Sequence, residues 1–495
     1  MKFNALIGQI ANVEISGNTD MDITGLEADS RQVKTGYLFA ALKGVALDGT
    51  KFIGNAIKAG ATAILVDAGY EGEMSDDVAW IKSSEPRKTL AFLAANFYPK
   101  QPPFILAVTG TNGKSSNADF LRQIFARAGK KAASLGTLGV QICETGQADR
   151  HIELHHTSPD PITLHRILYQ LAEEGVEYLS IEASSHGLEQ NRIDGVKICA
   201  AGFTNLTLDH LDYHSNMEEY FEAKMRLFTE LLPKTSPAVV SADGGYSVRV
   251  ANIAGFAGSN AKSVGFKGNY IKLLSVENLH AGQRMRFILA EKMYEVDLPL
   301  IGVFQVENAL VAAGLALSMD GVETEYVIKA LESLQGAKGR LEHVGNSKTG
   351  GRIFVDFAHT PDSIENALTA LRPYLEKPAK LIVIFGCGGD RDQTKRPLMG
   401  EAATKYADIV ILTDDNPRYE NAEDIRAMAK VGCPDAIEIG NRSKAIAHGI
   451  SLLKDGDILM VAGKGHEAGQ SINGKVIGVS DQIEVLEFLK ANNDQ

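Results

Sequence analysis

Cysteine is scarce in this chain, with only four residues in 495, and they lie far apart at Cys143, Cys199, Cys387 and Cys433. No Cys-x-x-Cys pair occurs, so the spacing argues against a zinc site and against a disulfide framework. Reduced thiols are the simple interpretation, and we expect a cytoplasmic protein.

Long apolar runs and excess positive charge are also missing. No run reaches the roughly 18 apolar residues that a membrane span requires, and the start of the chain has polar breaks at Gln9 and Asn12. We therefore expect neither a signal peptide nor a membrane span. Fifty Lys and Arg residues face 62 Asp and Glu, for a net charge of -12. This acidic balance argues against nucleic acid as the main partner.

The composition that remains, 44% apolar and 23% charged, is that of a globular protein too long for a single core. Two segments are unfavourable for regular secondary structure and mark candidate domain boundaries. Successive prolines in residues 98–103 disfavour both helix and strand, and the glycine-containing basic stretch 336–340 is flexible. We predict three domains, at residues 1–98, 99–336 and 337–495.

Apolar strand-like runs alternate with helical patterns in all three predicted domains, which indicates an α/β fold. The first domain should be a small α/β unit. The second should be a P-loop-type domain with a mostly parallel sheet, interrupted by an antiparallel insertion near residues 262–300. The third should be Rossmann-like, with strands at 353–356, 381–385, 409–413 and 458–462.

Residues 105–116 read Ile-Leu-Ala-Val-Thr-Gly-Thr-Asn-Gly-Lys-Ser-Ser. An apolar strand enters a glycine turn, and a helical pattern follows, so free backbone N–H groups and the helix dipole should face an anion. Lys114 would supply a point charge for phosphates, and the Ser115 hydroxyl is left for Mg²⁺. The standard P-loop has glycine where Val108 stands, and the alternative is an ordinary glycine turn with a chance lysine. We predict a nucleoside triphosphate site.

Polar clusters follow the predicted strands of the third domain. Ligands of open α/β sheets bind at the carboxyl ends of strands, so these clusters should lie together. They occupy residues 356–361, 386–391, 414–418 and 463–467.

These clusters and the phosphate turn together resemble the Mur ligase family, whose members add amino acids or D-Ala-D-Ala to the peptide stem of the bacterial cell-wall precursor. Each motif is modestly specific, but their joint order is highly specific and covers essentially the whole chain. The motifs are Asp29-Ser30-Arg31, residues 109–115, 157–160, 182–187, 204–214 and 339–342, Asp356-Phe357-Ala358-His359-Thr360-Pro361, Asp415-Asn416-Pro417-Arg418 and Gly463-Lys464-Gly465-His466-Glu467.

The resemblance implies a reaction in which ATP phosphorylates a substrate carboxylate and an amine attacks the acyl phosphate. Mg²⁺ is the implied cofactor and ATP the implied co-substrate. The implied catalytic residues are Lys114, Glu182, His210 and Lys224. The implied metal ligands are Ser115, Glu182, His210 and Lys224 as N6-carboxylysine. The implied ATP-binding residues are Gly110, Thr111, Asn112, Gly113, Lys114, Ser115, Ser116, Asn308, Arg340 and Asp356.

Simpler interpretations of four of these residues stay open from the residues alone. Glu182 could be a solvated acid at a strand end, and His210 could be a hydrogen-bonding scaffold residue. Lys224 lies in a helical run and could be a solvated helix lysine, while Arg340 could be a surface arginine in a linker.

The resemblance also implies two organic substrates. The first domain should bind the UDP-sugar of the precursor UDP-N-acetylmuramoyl-dipeptide. The implied precursor contacts are Ser30, Thr157, Ser158, Ser184, Gln190 and Arg192. Each hydroxyl alone could be only a helix cap or a turn residue.

The acceptor implied by Asp415-Asn416-Pro417-Arg418 is meso-diaminopimelate, which has a second carboxylate that lysine lacks. An arginine can bind that carboxylate through two parallel hydrogen bonds. The implied acceptor contacts are Arg391, Asp415, Asn416, Pro417, Arg418, Gly463 and Glu467. A turn arginine at position 418 and a lysine-adding relative are the alternatives.

Three departures from the family pattern are visible: Ser115-Ser116-Asn117 replaces a threonine run, Phe357 replaces a common tyrosine, and His156 stands where asparagine is expected. Rival readings are folylpolyglutamate synthase, the D-Ala-D-Ala-adding ligase, and a non-catalytic nucleotide-binding scaffold. We expect a monomer with no nucleic-acid partner.

Overall fold

The computed structural model describes residues 1–8, 10–44, 47–144, 149–154, 157–211, 213–280, 282–375 and 378–493. His156 and Asp212, which the family pattern singles out, lie outside these residues. Three main sheets follow one another along the chain. Within the described ranges, no helix is both long enough and apolar enough to cross a membrane.

The N-terminal sheet has five strands in the order β1-β5-β4-β3-β2, and β1 alone runs antiparallel to its neighbour. One face packs on the first and third helices, and Trp80 and Phe39 are buried on the other. The strands are β1 (Val13–Ser16), β2 (Gly25–Glu27), β3 (Tyr37–Ala40), β4 (Ala63–Asp67) and β5 (Ala79–Ser83); the helices are α1 (Phe3–Ile7), a 3-10 turn (Gly49–Phe52), α2 (Ile53–Lys58) and α3 (Pro86–Phe97).

The middle sheet has eleven strands in the order β16-β15-β14-β13-β12-β11-β6-β10-β7-β8-β9. The strands are β6 (Phe104–Thr109), β7 (Ala132–Gly136), β8 (Gly139–Cys143), β9 (Arg150–Ile152), β10 (Tyr178–Glu182), β11 (Ile198–Phe203), β12 (Pro237–Ser241), β13 (Asn260–Gly265), β14 (Ile271–Leu279), β15 (Gly282–Leu289) and β16 (Lys292–Leu298). The helices are α4 (Lys114–Arg127), α5 (Pro161–Glu173), α6 (Ser185–Glu189), α7 (Met217–Arg226) with a π turn (Leu227–Leu231), α8 (Ser247–Phe256), α9 (Val303–Ala316) and α10 (Thr324–Leu331).

The antiparallel segment begins later than predicted. The prediction began it near residue 262, but β13 runs parallel to β12 because helix α8 connects them in a crossover. The antiparallel ladder joins β14, β15 and β16. Ala290 and Glu291, with φ of 47° and 63°, form the tight turn that joins β15 to β16.

The C-terminal sheet has six strands in the order β17-β18-β22-β19-β20-β21, and only β17 is antiparallel to its neighbour. The carboxyl ends of β18, β22, β19 and β20 therefore meet at one edge, as the polar clusters predict. The strands are β17 (Glu342–Asn346), β18 (Arg352–Asp356), β19 (Leu381–Phe385), β20 (Ile409–Leu412), β21 (Ile437–Glu438), β22 (Ile458–Ala462), and a separate hairpin of β23 (Gln470–Ile472) and β24 (Lys475–Ile477); the helices are α11 (Pro361–Leu371), a 3-10 turn (Arg372–Tyr374), α12 (Lys395–Tyr406), α13 (Ala422–Lys430), α14 (Arg442–Leu452) and α15 (Asp481–Asn493).

Candidate active site

A cavity of about 510 Å³ opens where the middle sheet faces the C-terminal sheet. Most of the residues predicted from the sequence line it, so two groups of side chains that are far apart in sequence share one space. The predicted residues that line it are Thr111, Asn112, Gly113, Lys114, Ser115, Thr157, Ser158, Glu182, Ser184, Arg192, His210, Lys224, Arg340, Arg391, Asp415, Asn416, Arg418, Gly463 and Glu467.

The phosphate turn depends on its glycines. Gly113 has φ of 85°, and a Cβ there would stand 2.2 Å from Asn308 Oδ1. A Cβ on Gly110 would stand 1.9 Å from Thr204 Oγ1. Side chains are therefore excluded at both positions, because the turn packs closely against Asn308 and Thr204. Asn308 accepts a hydrogen bond from Asn117 Nδ2 at 3.1 Å, so it supports the turn from behind.

Lys114 opens α4 and folds back over the turn. Its Nζ donates to the carbonyl oxygens of Gly110 and Thr111, at 2.9 and 2.7 Å. Burial lowers the pKa of Lys114, and the nearby Glu182 carboxylate opposes that shift. A phosphate arriving at this turn would meet the ammonium group directly.

Arg340 bridges the two sides of the cavity. It donates from Nη2 to Ser115 Oγ at 3.0 Å, and its guanidinium lies 4.5 Å from the centre of the Phe357 ring. Burial lowers the pKa of Arg340. The linker alternative is therefore wrong, because this arginine lines the cavity. Asp356 accepts hydrogen bonds from the Leu341 N–H at 2.5 Å and the Ala358 N–H at 2.7 Å, so it fixes the backbone that follows Arg340.

Glu182 ends β10, whose parallel pairing sets it beside Val108 of the strand that leads into the phosphate turn. Its side chain is 3% exposed, so the solvated-acid alternative is wrong. Oε1 accepts from the Thr137 N–H at 2.7 Å and Oε2 from the Thr137 hydroxyl at 3.1 Å. Thr137, which the sequence did not single out, therefore orients this carboxylate.

His210 has φ of 57° and lies with its Nε2 3.5 Å from Asp209 Oδ2. Burial lowers the pKa of His210 to about 3. Asp209 also faces His359 Nε2 at 3.7 Å and Lys395 Nζ at 3.4 Å, both from the C-terminal sheet. Although burial opposes ionisation, these neighbours hold the pKa of Asp209 well below its usual range.

The sequence prediction omitted Asp209, His359 and Lys395. Asp209 and His359 lie inside motifs that were recognised, which was the signal available for them. Lys395 is the first residue of α12, four residues after the cluster at 386–391.

Lys224 is 1% exposed, so the solvated-lysine alternative is wrong. Its Nζ donates to the Gly110 carbonyl at 2.8 Å and lies 4.3 Å from the centre of the Tyr220 ring. Burial and the Lys114 charge hold the pKa of Lys224 well below its usual range. The fold thus favours the neutral amine, which is the form that reacts with CO₂.

The donor set around the turn suits Mg²⁺ more than a transition metal. Within the described residues, no group of three or more His, Cys, Asp and Glu side chains could hold a metal ion. Mg²⁺ typically takes one or two carboxylates together with substrate phosphates and water. Glu182 and the Ser115 hydroxyl supply hard oxygen ligands of this kind beside the phosphate turn.

Four of the six predicted precursor contacts form one hydrogen-bonded cluster: Ser158, Ser184, Gln190 and Arg192. Ser158 Oγ lies 3.0 Å from Ser184 Oγ, and Arg192 donates to the Ser158 carbonyl at 2.8 Å. Gln190 Oε1 accepts from Arg192 Nη2 at 2.7 Å. Ser184 also caps the N-terminus of α6, which is the simpler role that the sequence left open for it. Ser30 lies outside this cavity, in the turn that follows β2.

The predicted acceptor contacts gather at the edge of the C-terminal sheet. Glu467 Oε2 accepts from Asn416 Nδ2 at 2.7 Å and from Lys464 Nζ at 2.9 Å. Asp415 Oδ2 is buried with no hydrogen-bond partner among the described residues, and a Cβ on Gly463 would stand 2.4 Å from it. A cationic group could enter beside Asp415. Lys464, which is fully buried, was not among the predicted acceptor contacts.

Three family models match this chain in sequence. The Mur ligase family catalytic domain matches residues 22–98, the Mur ligase middle domain residues 108–316, and the Mur ligase glutamate ligase domain residues 339–465. The chain is 47% identical over 496 residues to the UDP-N-acetylmuramoyl-L-alanyl-D-glutamate--2,6-diaminopimelate ligase of Brucella melitensis, with 100% of this chain and 99% of that protein covered. The chain belongs to the Mur ligase family.

Other members support the same grouping. The ligase of the same name from Agrobacterium fabrum is 48% identical over 469 residues, 95% of this chain and 94% of that protein. A solved structure of a ligase with that name aligns at a TM-score of 0.68 and 31% identity, over 100% of this chain and 99% of the other. The MurF ligase of Thermotoga maritima in complex with ADP shares the fold, with a TM-score of 0.64 at 18% identity over 95% and 97% of the two chains.

The predicted family and the predicted three-domain α/β fold are confirmed. The three segments matched by the Mur ligase models fall inside the three predicted domains, whose boundaries stay predictions. The roles of the individual site residues also stay predictions.

Proposed function

We propose that this protein is an ATP-dependent ligase that joins meso-diaminopimelate to UDP-N-acetylmuramoyl-L-alanyl-D-glutamate. The named activity of its full-length relatives supports the proposal. The observation that carries it is the single cavity that contains both the phosphate turn, with Lys114, and a pair of acceptor-side arginines, Arg391 and Arg418.

Two steps account for the product. A carboxylate oxygen of the D-glutamyl residue attacks the γ-phosphorus of ATP, the bond to ADP breaks, and an acyl phosphate forms. The neutral amine of diaminopimelate then attacks the acyl carbon. Phosphate leaves with the bonding electrons, and the nitrogen loses its extra proton to solvent. Both steps spread negative charge over oxygens, so the protein must supply fixed positive charge and positioning.

The middle and C-terminal sheets supply that charge from opposite sides. Lys114 lies on the phosphate turn. Arg340 lies in the segment that leads into β17, and its side chain donates a hydrogen bond to Ser115. Glu182 and Ser115 would hold Mg²⁺, joined by His210 and a carbamylated Lys224. When bound, Mg²⁺ would neutralise phosphate charge. The hydroxyl and arginine cluster of Ser158 and Arg192 would hold the precursor peptide.

The acceptor would bind between two oppositely charged groups. Arg418 and Arg391 suit its distal carboxylate, since guanidinium groups pair with carboxylates through two hydrogen bonds. Asp415 and Glu467 suit its ammonium group, and the unpaired oxygen of Asp415 gives that group a partner.

Two alternatives make different predictions for the acceptor and for turnover. A lysine-adding ligase would use L-lysine in place of diaminopimelate, and a nucleotide-binding scaffold would bind ATP without turnover. Phosphate release should be measured with ATP, Mg²⁺ and the UDP-dipeptide, with meso-diaminopimelate or L-lysine added in parallel. Release that depends on diaminopimelate supports the proposal. A preference for L-lysine would overturn the acceptor, and release with neither amine would overturn the ligase activity.

The remaining expectations belong to the same proposal. The three domains would be residues 1–98, which bind the UDP-sugar, 99–336, which bind ATP, and 337–495, which bind the amino acid. The protein would act as a monomer in the cytoplasm, where ATP and the UDP-linked precursor are available.

A further inference from the structure

The two candidate acceptor arginines lie on two loops that leave the same edge of the C-terminal sheet. Arg391 follows β19 and Arg418 follows β20, and these strands pair in parallel. Arg391 is exposed and Arg418 is half-buried. Both side chains line the same cavity, and burial, together with the positive charge of Arg391, lowers the pKa of Arg418. Holding them together requires compensating contacts elsewhere in the loops.

An ion pair between a buried arginine and a half-buried glutamate joins the two loops on the side away from the cavity. Arg396, on the first turn of α12, has no exposed surface. Its Nη2 donates to both carboxylate oxygens of Glu420, at 2.8 and 3.0 Å, and to the Gly388 carbonyl at 3.1 Å. Glu420 belongs to the Arg418 loop and Gly388 to the Arg391 loop. A buried guanidinium is costly to leave unpaired, so these contacts should hold the two loops in one arrangement.

Further contacts run across the same two loops. The Gly389 N–H donates to the Asn416 carbonyl at 2.9 Å, and Arg418 Nη1 donates to the Gly389 carbonyl at 2.7 Å. The Tyr419 N–H donates to Asp390 Oδ2 at 3.1 Å, and the Asp390 N–H donates to Glu420 Oε1. The loops are therefore joined through both backbone and side chains.

The backbone of both loops is held in a conformation that favours glycine. Asp390, which precedes Arg391, has φ of 51°, and Arg418 itself has φ of 52°. Non-glycine residues in this region persist only where surrounding contacts hold them. The Asp390 N–H donates to Glu420, whereas the Arg418 backbone is held by the β23–β24 hairpin, where its N–H donates to the Ser471 carbonyl at 2.9 Å and its carbonyl accepts from the Asn473 N–H at 2.8 Å.

We propose that the Arg396–Glu420 pair is a positioning pair that sets the spacing of Arg391 and Arg418 and thereby determines the preference for an acceptor with a second carboxylate. This inference rests on the proposed function. Neither Arg396 nor Glu420 lines the cavity, so both act through the two arginines. An acceptor without the distal carboxylate does not use that spacing and should be insensitive to it.

The test compares the wild-type enzyme with Glu420→Gln and Arg396→Met in steady-state phosphate release. We expect the KM for meso-diaminopimelate to rise about 10- to 100-fold in both variants, because a misplaced charged contact loses affinity on this scale. The KM for ATP and any slow rate with L-lysine should stay within about twofold. A structural defect would instead lower the rates with both amines together.

A double variant and a matched control sharpen the test. The double variant that combines Arg396→Met with Glu420→Gln should be no worse than the more impaired single variant, since residues that act as one pair are not additive. Arg372→Met removes an exposed pair between the 3-10 turn after α11 and Asp408, which precedes β20, and should leave every constant unchanged. If Glu420→Gln does not fold, the exposed Asp390→Ala variant weakens the same linkage and should raise the same KM.

The outcomes separate the two proposals. A wild-type enzyme without diaminopimelate-dependent release overturns the proposed function, and this inference with it. An active wild type whose Glu420 and Asp390 variants keep the KM for diaminopimelate overturns the inference alone. Equal losses with both amines, or equal rises in the KM for ATP, also overturn it.

Discussion

The ammonium nitrogen of Lys395 lies 3.4 Å from Asp209 Oδ1, and this contact joins the C-terminal sheet to the loop that carries His210. Both side chains are about nine-tenths buried, so water screens their attraction little. The pair therefore links the approach of the two sheets to the position of His210.

Removing the Lys395 charge should slow turnover. In Lys395→Met the Asp209 carboxylate stays buried and loses a partner, which we expect to lower kcat by about 10- to 100-fold. Asp209→Asn should have a similar effect, and the double variant should be no worse than either. Phosphate release measures the rate, and Lys405→Met, an exposed lysine on the same helix, is the control. Additive losses would show that the two residues act separately.

Lys224 should be essential as a carboxylated side chain. Lys224→Ala should lower kcat by about 100-fold or more, as loss of a charged group in the active site does. Added formate or acetate should restore part of the activity, because a small carboxylate can occupy the vacated space. Lys224→Arg stays cationic and should not be rescued.

Bicarbonate provides an independent measurement on Lys224. Enzyme depleted of CO₂ should lose activity and regain it when bicarbonate is added. A Lys224→Ala variant that keeps wild-type activity, or that no carboxylate restores, would argue against the carbamate.

Arg340 should contribute to the transition state more than to nucleotide binding. Arg340→Ala should lower kcat by about 100- to 1,000-fold with a small change in the KM for ATP, because its charge beside Ser115 would face the transferring phosphoryl group. Arg340→Lys should recover little, since lysine cannot both reach Ser115 and lie flat on Phe357. Lys338→Ala, an exposed neighbour, is the control. A rise in the KM for ATP at constant kcat would instead assign Arg340 to nucleotide binding.

His165 should make stability depend on pH. It is fully buried, its Nε2 lies 3.0 Å from the Asp194 carbonyl, and burial lowers its pKa from 6.5 to about 4. Between these two values the unfolded chain binds a proton that the folded chain does not. Stability should therefore fall as pH drops through this window, by about 2 kcal/mol at pH 5 relative to pH 7.

Urea unfolding at pH 7 and pH 5 measures this effect. His165→Phe cannot titrate, so its loss of stability between the two pH values should be smaller than that of the wild type by that amount. Equal losses in the two proteins would show that His165 is not the group responsible.

Much of the fold could be predicted from local patterns. The strand prediction at 381–385 matches β19, and the turn that ends at Gly113 leads into α4 as expected. Strands and glycine turns depend on patterns of only a few neighbouring residues, so they can be predicted from the sequence. The start of the antiparallel ladder was misplaced because the direction of a strand depends on its connection, which the apolar pattern of β13 does not record.

The residue types and their order in the chain were enough to predict the phosphate turn, the position of Glu182 at the end of a strand, and the family. The glycines, the lysine and the hydroxyl of residues 110–115 carry their chemistry wherever they are placed, which is why these elements could be read without coordinates. Burial and charge pairing were decided only by tertiary structure. The local sequence around Lys224 does not show whether the side chain is solvated or buried. In the folded protein, contacts with Tyr220 and Gly110 bury it. Asp209 and Lys395 are 186 residues apart, and only the approach of two sheets makes them partners.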